Sequence, residues 1–451
     1  MDMALLRRHL RCETTALVVG RKNTTIAWAD ETFHRQAFAQ QPAWYALQAV
    51  APEVQPGQRM RVLFQILESA QAGLSAETQQ VVRRVARVLA VVMPADDVLT
   101  VFLALRRRRI NRKPARRFML DYLLNHPCLE DLALRRRPAW IDCLEHALGR
   151  DTARGALAIL QRGKCNDPYV RRNLLRFAGD KDRAAKALIS LCGSSRPAVM
   201  PRLPRYAVYH QRFEQVEQRS PRPKTVTATN RGDIAATLVH LYRGGPNEEL
   251  SRAVDAYAEA ACQLAPRFDG TVSLVLDVSG STQGYGEREY CCVSQSVALH
   301  MVLKRCCATL HVHQVGGSGA PPRPEGSTDL ASSVLDALAD RPDVVMVISD
   351  GYENVRAGDL AGVVASLPTA GIAVPIVFCH SKFTEKDDLA LRRPAPGLAE
   401  LQFWHEDDFV DVLHEVFSMA GGDAGKRFVE TSLKNVLDQR EKEVMPWLTR
   451  N

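Results

Sequence analysis

Five oxygen-bearing side chains carry the clearest chemistry. The segment DVSGS places Asp277, Ser279 and Ser281 at i, i+2 and i+4, the segment GST contributes Thr328, and Asp350 follows the run VVMVIS. A curved loop with that spacing turns its three side chains toward one point. Two carboxylates and three hydroxyls form an oxygen-only donor set, which suits a hard divalent cation, Mg²⁺ first and Mn²⁺ as the alternative. The set is open: two waters, or one water and a partner's carboxylate, would complete an octahedron. Taken singly, a Ser-Gly-Ser loop or an Asp-Gly is an ordinary turn, so the order and separation of the three segments carry the reading. No nucleophile and base pair accompanies them. His311, His313 and His380 fall on or beside predicted strands and read as packed or surface histidines. A metal-dependent hydrolase is the weakest reading, because a nuclease would bring more carboxylates to its metals.

The second chemical signal is basic. Residues 106–117 hold eight cations and no acid: Arg106, Arg107, Arg108, Arg109, Arg112, Lys113, Arg116 and Arg117. Arg135, Arg136 and Arg137 form a second patch, and Arg171, Arg172 and Arg176 a third. A solvated helix face complementing helix C-terminal dipoles accounts for single arginines, but not for a run of this length. Arginine in place of lysine favours bidentate contact with phosphate. The charge is also asymmetric. Residues 1–260 carry 42 Lys+Arg against 25 Asp+Glu, and the remainder 17 against 26, so +17 faces −9. The expectation is that the first part meets a polyanion. RNA ends, single-stranded or structured, read by shape and backbone, fit best.

The elements that position these residues divide the chain. TVSLVLDVSGS, ATLHVHQV, DVVMVISDG and IAVPIVFC are apolar β-branched runs, as in buried parallel strands. Helical patterns separate them, which predicts a doubly wound sheet with both aspartates beyond carboxyl ends of strands. From about Met60 to Cys192 every segment reads as a short amphipathic helix closed by Gly, His-Pro or a polar turn. Asp96 or Asp97, Asp151, Asp167 and Asp182 stand where N-caps belong. Successive short helices predict antiparallel hairpins stacked as a HEAT-like helical-repeat array. Within residues 1–59, ETTALVVG and TTIAWAD read as short strands or irregular segments. The predicted organisation is therefore an N-terminal segment (1–59), an all-α helical-repeat module (60–192), a linker with connecting helices (193–265), an α/β doubly wound domain (266–420) and a C-terminal helix and tail (421–451). The linker includes a short helix around Tyr209–Gln218.

Composition bounds the rest. The 46% hydrophobic content is enough for more than one core, and 6% aromatics argues against a base-stacking sheet surface. No apolar run reaches membrane-span length, and Arg7, Arg8 and Arg11 interrupt the N-terminal apolar stretch. The eleven cysteines lack CxxC spacing, so neither a zinc site nor a disulfide framework is indicated. The sequence predicts a cytoplasmic protein.

On DVSGS, GSTDLASSV and VISDGYEN, residues 268–420 resemble a von Willebrand factor type A domain with a complete metal-ion-dependent adhesion site. In that family the metal generally meets a partner's acidic side chain and rarely does chemistry. A helical module followed by such a domain resembles the Ro autoantigen family, whose TROVE module of HEAT-like repeats binds RNA; the segment FCHSKFTEKDD…LQFW is also similar. The helical half is shorter than a full TROVE ring. The resemblance implies a non-enzymatic ribonucleoprotein component for noncoding or damaged RNA in bacterial RNA metabolism. The competing expectation is a protein-interaction adaptor, without nucleic acid, whose metal grips a partner such as a MoxR-type AAA+ ATPase.

Overall fold

A computed structural model describes residues 3–12, 30–51, 54–126, 128–192, 233–245, 247–383 and 392–448. The segments ETTALVVG and most of TTIAWAD, the Ser/Pro/Arg-rich stretch at 193–232 with its expected short helix, and much of FTEKDD lie outside the described residues. The chain divides into two units, residues 1–218 with 432–451, and residues 219–431.

The described residues of the first unit are helices and the turns between them. Its elements are α1 (Met3–Arg11), α2 (Glu31–Gln40), α3 (Pro42–Gln48), α4 (Pro56–Glu68), α5 (Ala76–Val92), α6 (Ala95–Arg107), α7 (Lys113–Asn125), α8 (Leu129–Arg135), α9 (Arg137–Leu148), α10 (Arg150–Gln161), α11 (Pro168–Asn173) and α12 (Lys181–Cys192). Alternate helices pack on one another: α3 on α5, α4 on α6, α7 on α9 and α10 on α12. That pattern follows from short turns between amphipathic helices, which bury a stripe on each side of a layer. Tyr45, Phe64, Phe102 and Trp140 are fully buried in it. Residues 1–59 contribute helices to the same unit.

The caps differ from expectation. Asp167 does cap α11, accepting from the Tyr169 N–H at 2.8 Å. Helix α6 starts after Pro94, with Asp96 and Asp97 in its first turn; Asp151 stands in the first turn of α10 behind Gly149, and Asp182 in the first turn of α12. One turn inside a helix, an aspartate still favours the N-terminal dipole without accepting the cap hydrogen bond.

The second unit has α13 (Ile234–Tyr242), α14 (Asn247–Leu264), β1 (Phe268–Asp277), α15 (Cys291–Cys306), β2 (Cys307–Val315), α16 (Leu330–Ala339), β3 (Val344–Ser349), α17 (Asp359–Ser366), β4 (Ile376–Ser381), β5 (Ala399–Phe403) and α18 (Phe409–Met419). Helix α19 (Gly422–Leu448) begins here, and its residues from Ser432 onward belong to the helical unit. The five strands are parallel in the order β2-β1-β3-β4-β5. Val275, Val345, Val347, Ile376 and Phe378 face α16 and α17. The alternate residues Leu274, Leu276, Met346, Ile348, Val377 and Cys379 are buried on the opposite face, where α15 and α18 contact the sheet. Phe268 stacks on Phe417 of α18 at 4.7 Å. Helices α13 and α14 pack on α15 and so belong to this unit's second layer rather than to a connector.

Helix α13 begins at an unusual cap. Asp233 accepts from the Ala236 N–H at 2.5 Å, and Glu406 accepts from the Ile234 N–H at 2.8 Å. Burial first, and then Asp233, push the Glu406 carboxyl from 4.5 up to about 7. A carboxyl raised on folding contributes stability that is fully present below pH 4.5 and lost as pH rises through about 7, a difference of up to about 3 kcal/mol. The wild-type chain should therefore show a falling unfolding temperature across that window. Glu406→Gln keeps an acceptor for the Ile234 N–H and should flatten the profile. Identical profiles in thermal melts from pH 4.5 to 8 would remove Glu406 as the cause.

Candidate metal centre and basic cleft

The strand order reverses direction between β1 and β3, and ligands of open parallel sheets collect at that crevice, beyond the carboxyl ends. Leu276 pairs with Ile348 across the two strands, which sets Asp277 level with Ser349 and Asp350 one residue beyond, at the same end of the sheet. Both are essentially inaccessible, as are Ser279 and Thr328.

A hydrogen-bond web fixes the donors. Asp277 accepts from the Ser279 N–H at 3.0 Å and from the Ser349 hydroxyl at 2.6 Å. Ser279 Oγ lies 3.1 Å from Ser281 Oγ and 2.7 Å from Thr328 Oγ1. Asn354 donates to Thr328 Oγ1 at 3.2 Å, and the Tyr352 N–H donates to Asp350 Oδ1 at 3.2 Å. Two glycines let the loops close in. Gly316 has φ +67°, and a Cβ there would lie 2.4 Å from the Glu325 carbonyl and 2.9 Å from Ser279 Cα. Gly351 has φ +86°, and a Cβ would lie 2.5 Å from the Arg392 carbonyl oxygen. The Gly280 N–H then donates to Gly326 O at 3.0 Å, joining the loop of Ser279 to that of Thr328.

This arrangement fits a hard cation on three counts. An octahedron with Mg–O bonds of about 2.1 Å has edges of about 3.0 Å, close to the spacing of the three hydroxyls. Among the described residues, Asp350 Oδ2 is buried and has no hydrogen-bond partner by geometry, while the Ser281 hydroxyl lies near enough to the carboxyl to lower its pKa. Burial, reinforced by Asp277, pushes the Asp350 carboxyl up to about 6, and burial raises that of Asp277. Two adjacent desolvated carboxylates are stable as anions only with a compensating charge. The protein supplies part of it through Arg392, whose guanidinium lies 3.7 Å from the centroid of the Tyr352 ring and 3.5 Å from the Asp350 carbonyl. Asn354, Ser349 and Arg392 were not among the residues picked out from sequence. Ser349 and Asn354 flank Asp350 within VISDGYEN, but nothing in the sequence marks them as supports. Of the histidines set aside from sequence, His313 lies 2.6 Å from Asp340, His311 is exposed and His380 is buried.

Several of the sequence-predicted arginines are tied up by intramolecular partners. Arg106 pairs with Asp142 at 2.8 Å, and Arg136 with Asp96 at 2.6 Å. Arg108 makes bidentate contact with Glu31 at 2.6 and 2.9 Å, and lies 3.7 Å from Glu68. Arg116 donates to the Ala147 carbonyl at 2.6 Å. Arg107 is half-buried and, like Arg137, has an intramolecular partner. Arg109, Arg135, Arg171 and Arg172 are exposed, and Arg176 lies 4.6 Å over the Phe177 ring. The rest converge elsewhere. Arg112, Lys113 and Arg117 line a cleft of about 530 Å³ between the end of α4, α5 and the start of α7. Arg83 and Arg87 of α5 join them, with Phe118 and the apolar Ile66 and Leu67, against a single acid, Asp121. Arg112 caps the Glu68 carbonyl, and Arg83 donates to Gln79 at 3.0 Å. Among the described residues, no carboxylate pairs with Arg87, Lys113 or Arg117. In sequence Arg83 and Arg87 read as the polar face of an amphipathic helix, and nothing there marks them as part of a basic cleft.

Adding Mg²⁺ should raise the unfolding temperature of the α/β unit by several degrees, since a ligand at 100 times its Kd adds about 2.7 kcal/mol. Asp350→Asn should abolish that response. In EDTA the same variant should melt no lower than wild type, because it removes one of two buried like charges. A variant that keeps the full Mg²⁺ response would exclude Asp350 as a ligand.

No helix among the described residues is long and apolar enough to cross a membrane. No protein family and no curated protein matches the sequence. Among solved structures, the chain is similar to the crystal structure of the Deinococcus radiodurans RO (RSR) protein, at 15% identity and a TM-score of 0.33, over 96% of this chain and 99% of that one.

Proposed function

We propose that this chain is a non-enzymatic RNA-binding protein of the Ro type, with its nucleic-acid contact centred on the cleft between α4, α5 and α7. The observation that carries the reading is the cleft itself. Five cations face one concave surface that holds one acid, and an aromatic ring with an aliphatic wall lies beside them. Phosphates would meet Arg87, Lys113 and Arg117, while a terminal base would find Phe118. The first turn of α7 adds its N-terminal dipole to the same end of the cleft. Noncoding or damaged RNA with an accessible end is the substrate class this shape suits.

The α/β unit supplies a second role. The unpartnered Asp350 Oδ2 and the edge of three hydroxyls favour a von Willebrand A-type Mg²⁺ site that takes a carboxylate from a protein partner. Docking of that kind is lost with EDTA and with Asp277→Ala in a pull-down, and persistence under both would reject it.

RNA binding is tested by filter binding of a short single-stranded RNA over a salt series. Each phosphate contact contributes about 0.7 to the slope of log affinity on log salt for a single strand. The triple change Arg87→Ala, Lys113→Ala, Arg117→Ala should lower that slope by about 2 and weaken binding at least tenfold. Arg106→Ala and Arg136→Ala, which break ion pairs within the helical unit, should change affinity less than twofold. Equal losses in both sets would mean that the whole basic surface, not the cleft, holds the RNA.

A further inference from the structure

A second cluster in the helical unit is independent of any nucleic acid. His9 of α1, Asp30 at the start of α2, His34 one turn into α2 and Gln58 in the first turn of α4 converge on one point. His9 Nε2 lies 3.0 Å from Asp30 Oδ2. His34 Nε2 lies 3.4 Å from the same oxygen and 2.9 Å from Gln58 Oε1. The ligating atoms of the two histidines and the aspartate all lie within 4.8 Å of one another. A tetrahedral Zn²⁺ with bonds of about 2.0–2.1 Å has donor–donor edges of about 3.3–3.4 Å. The His9–Asp30, His34–Asp30 and His34–Gln58 separations, 3.0, 3.4 and 2.9 Å, lie within about half an ångström of that, and the two histidine nitrogens lie within 4.8 Å of each other.

We propose that His9, Asp30 and His34 form a Zn²⁺ site, with the Gln58 amide oxygen beside the fourth position, that fastens α1 to α2 and α4.

The surroundings match what a zinc site needs. His34 is only 2% exposed, and burial pushes its imidazole down to about 4, so a neutral ring is available to a metal at neutral pH. His9 is lowered too, by burial and then by His34 and Arg61. The other ring nitrogen of His34 lies 2.7 Å from the Tyr45 hydroxyl, which is itself buried. In the zinc-bound tautomer Nδ1–H donates to Tyr45 and Nε2 turns its lone pair to the metal, the outer-shell arrangement that orients ligating histidines. Arg61 pairs with the other carboxylate oxygen of Asp30. The carboxylate therefore stands between the guanidinium and the imidazoles, and Oδ2 is left to the metal. His9 remains about a quarter exposed, which gives an ion an entry path. Leu6 and Leu10 of α1 are buried, so the helix already packs where the metal would pin it.

The same atoms can also close a metal-free network, with the Tyr45 hydroxyl donating to Nδ1 of His34 and Nε2–H donating to Gln58. The two states differ in tautomer, in stoichiometry and in spectrum. The test uses the full chain in excess Mg²⁺, which keeps the oxygen-only centre occupied, and titrates Co²⁺ as the probe for Zn²⁺. The expected result is one Co²⁺ per chain with visible ligand-field bands and no thiolate charge-transfer band, displaced by one equivalent of Zn²⁺. His9→Ala, on the more exposed ligand, should lose the bands while the circular dichroism of the chain is kept. Tyr45→Phe should weaken the metal about 10–100-fold, and Asp277→Ala should leave the bands intact. Thiolate bands, no bound cobalt, or unchanged binding in His9→Ala would each overturn the proposal.

Discussion

Parallel pairing of β1 with β3 is the constraint around which the α/β unit is arranged. Register places Leu276 opposite Ile348, and the next residues out of the sheet must leave side by side. Here they lead to Asp277 and Asp350. Two carboxylates in a dry crevice repel each other and have lost their hydration. The surrounding loops answer with donors: the Ser349 hydroxyl, the backbone N–H groups of Ser279 and Tyr352, and the guanidinium of Arg392 near the backbone of Asp350. Among the described residues they still leave Asp350 Oδ2 without a hydrogen-bond partner. A fold adapted only for stability would not keep two acids there, because replacing one by an amide would relieve the repulsion at no loss of shape. The arrangement makes physical sense as a site kept ready for a cation.

The helical unit resolves its charge differently. Eight cations within twelve residues look uncompensated along the sequence, but compensation is not local. Glu31 and Glu68 reach Arg108 from α2 and α4, Asp142 reaches Arg106 from α9, and Asp96 of α6 reaches Arg136. The two more exposed pairs, Arg106–Asp142 and Arg136–Asp96, contribute only about 0–1 kcal/mol each, so they matter less for stability than for deciding which cations remain available. Of those that remain, Arg109, Arg135, Arg171 and Arg172 are exposed outside the cleft and three others share it. Arg87, Lys113 and Arg117 belong to two helices whose sequence positions gave no reason to associate them.

Legibility followed the range of the determining interactions. The metal donors were legible because three of the five share one loop and the strands beneath them are continuous apolar runs. Strand β5, at the edge of the sheet, was not read as a strand: AELQF is short and, apart from Phe403, partly or fully exposed, so it lacks the buried-strand signature. The start of the chain was unreadable for a related reason. Helices α1, α2 and α3 are 9, 10 and 7 residues long, too short for periodicity alone, and they are held by tertiary contacts such as buried Arg59, which donates to the carbonyls of Ala49 and Ala51 just beyond α3. Helices α13 and α14 were visible as helices, but their partner, α15, follows a strand later in the chain.

The same distinction separates zinc from the cysteines. Spacing arguments detect metal sites whose ligands share a turn, and the scattered cysteines fail that test. His9, Asp30 and His34 fail it as well: only Asp30 and His34 share a helical turn, and His9 comes from another helix. What marks them is convergence on a single carboxylate oxygen together with burial of the ring that would need to be neutral. A surface histidine paired with an aspartate gains from being protonated. A histidine buried as deeply as His34 beside a second histidine and an arginine does not. That combination disfavours the imidazolium and leaves two neutral rings aimed at one anion, an arrangement that either a shared network of protons or a metal ion can complete.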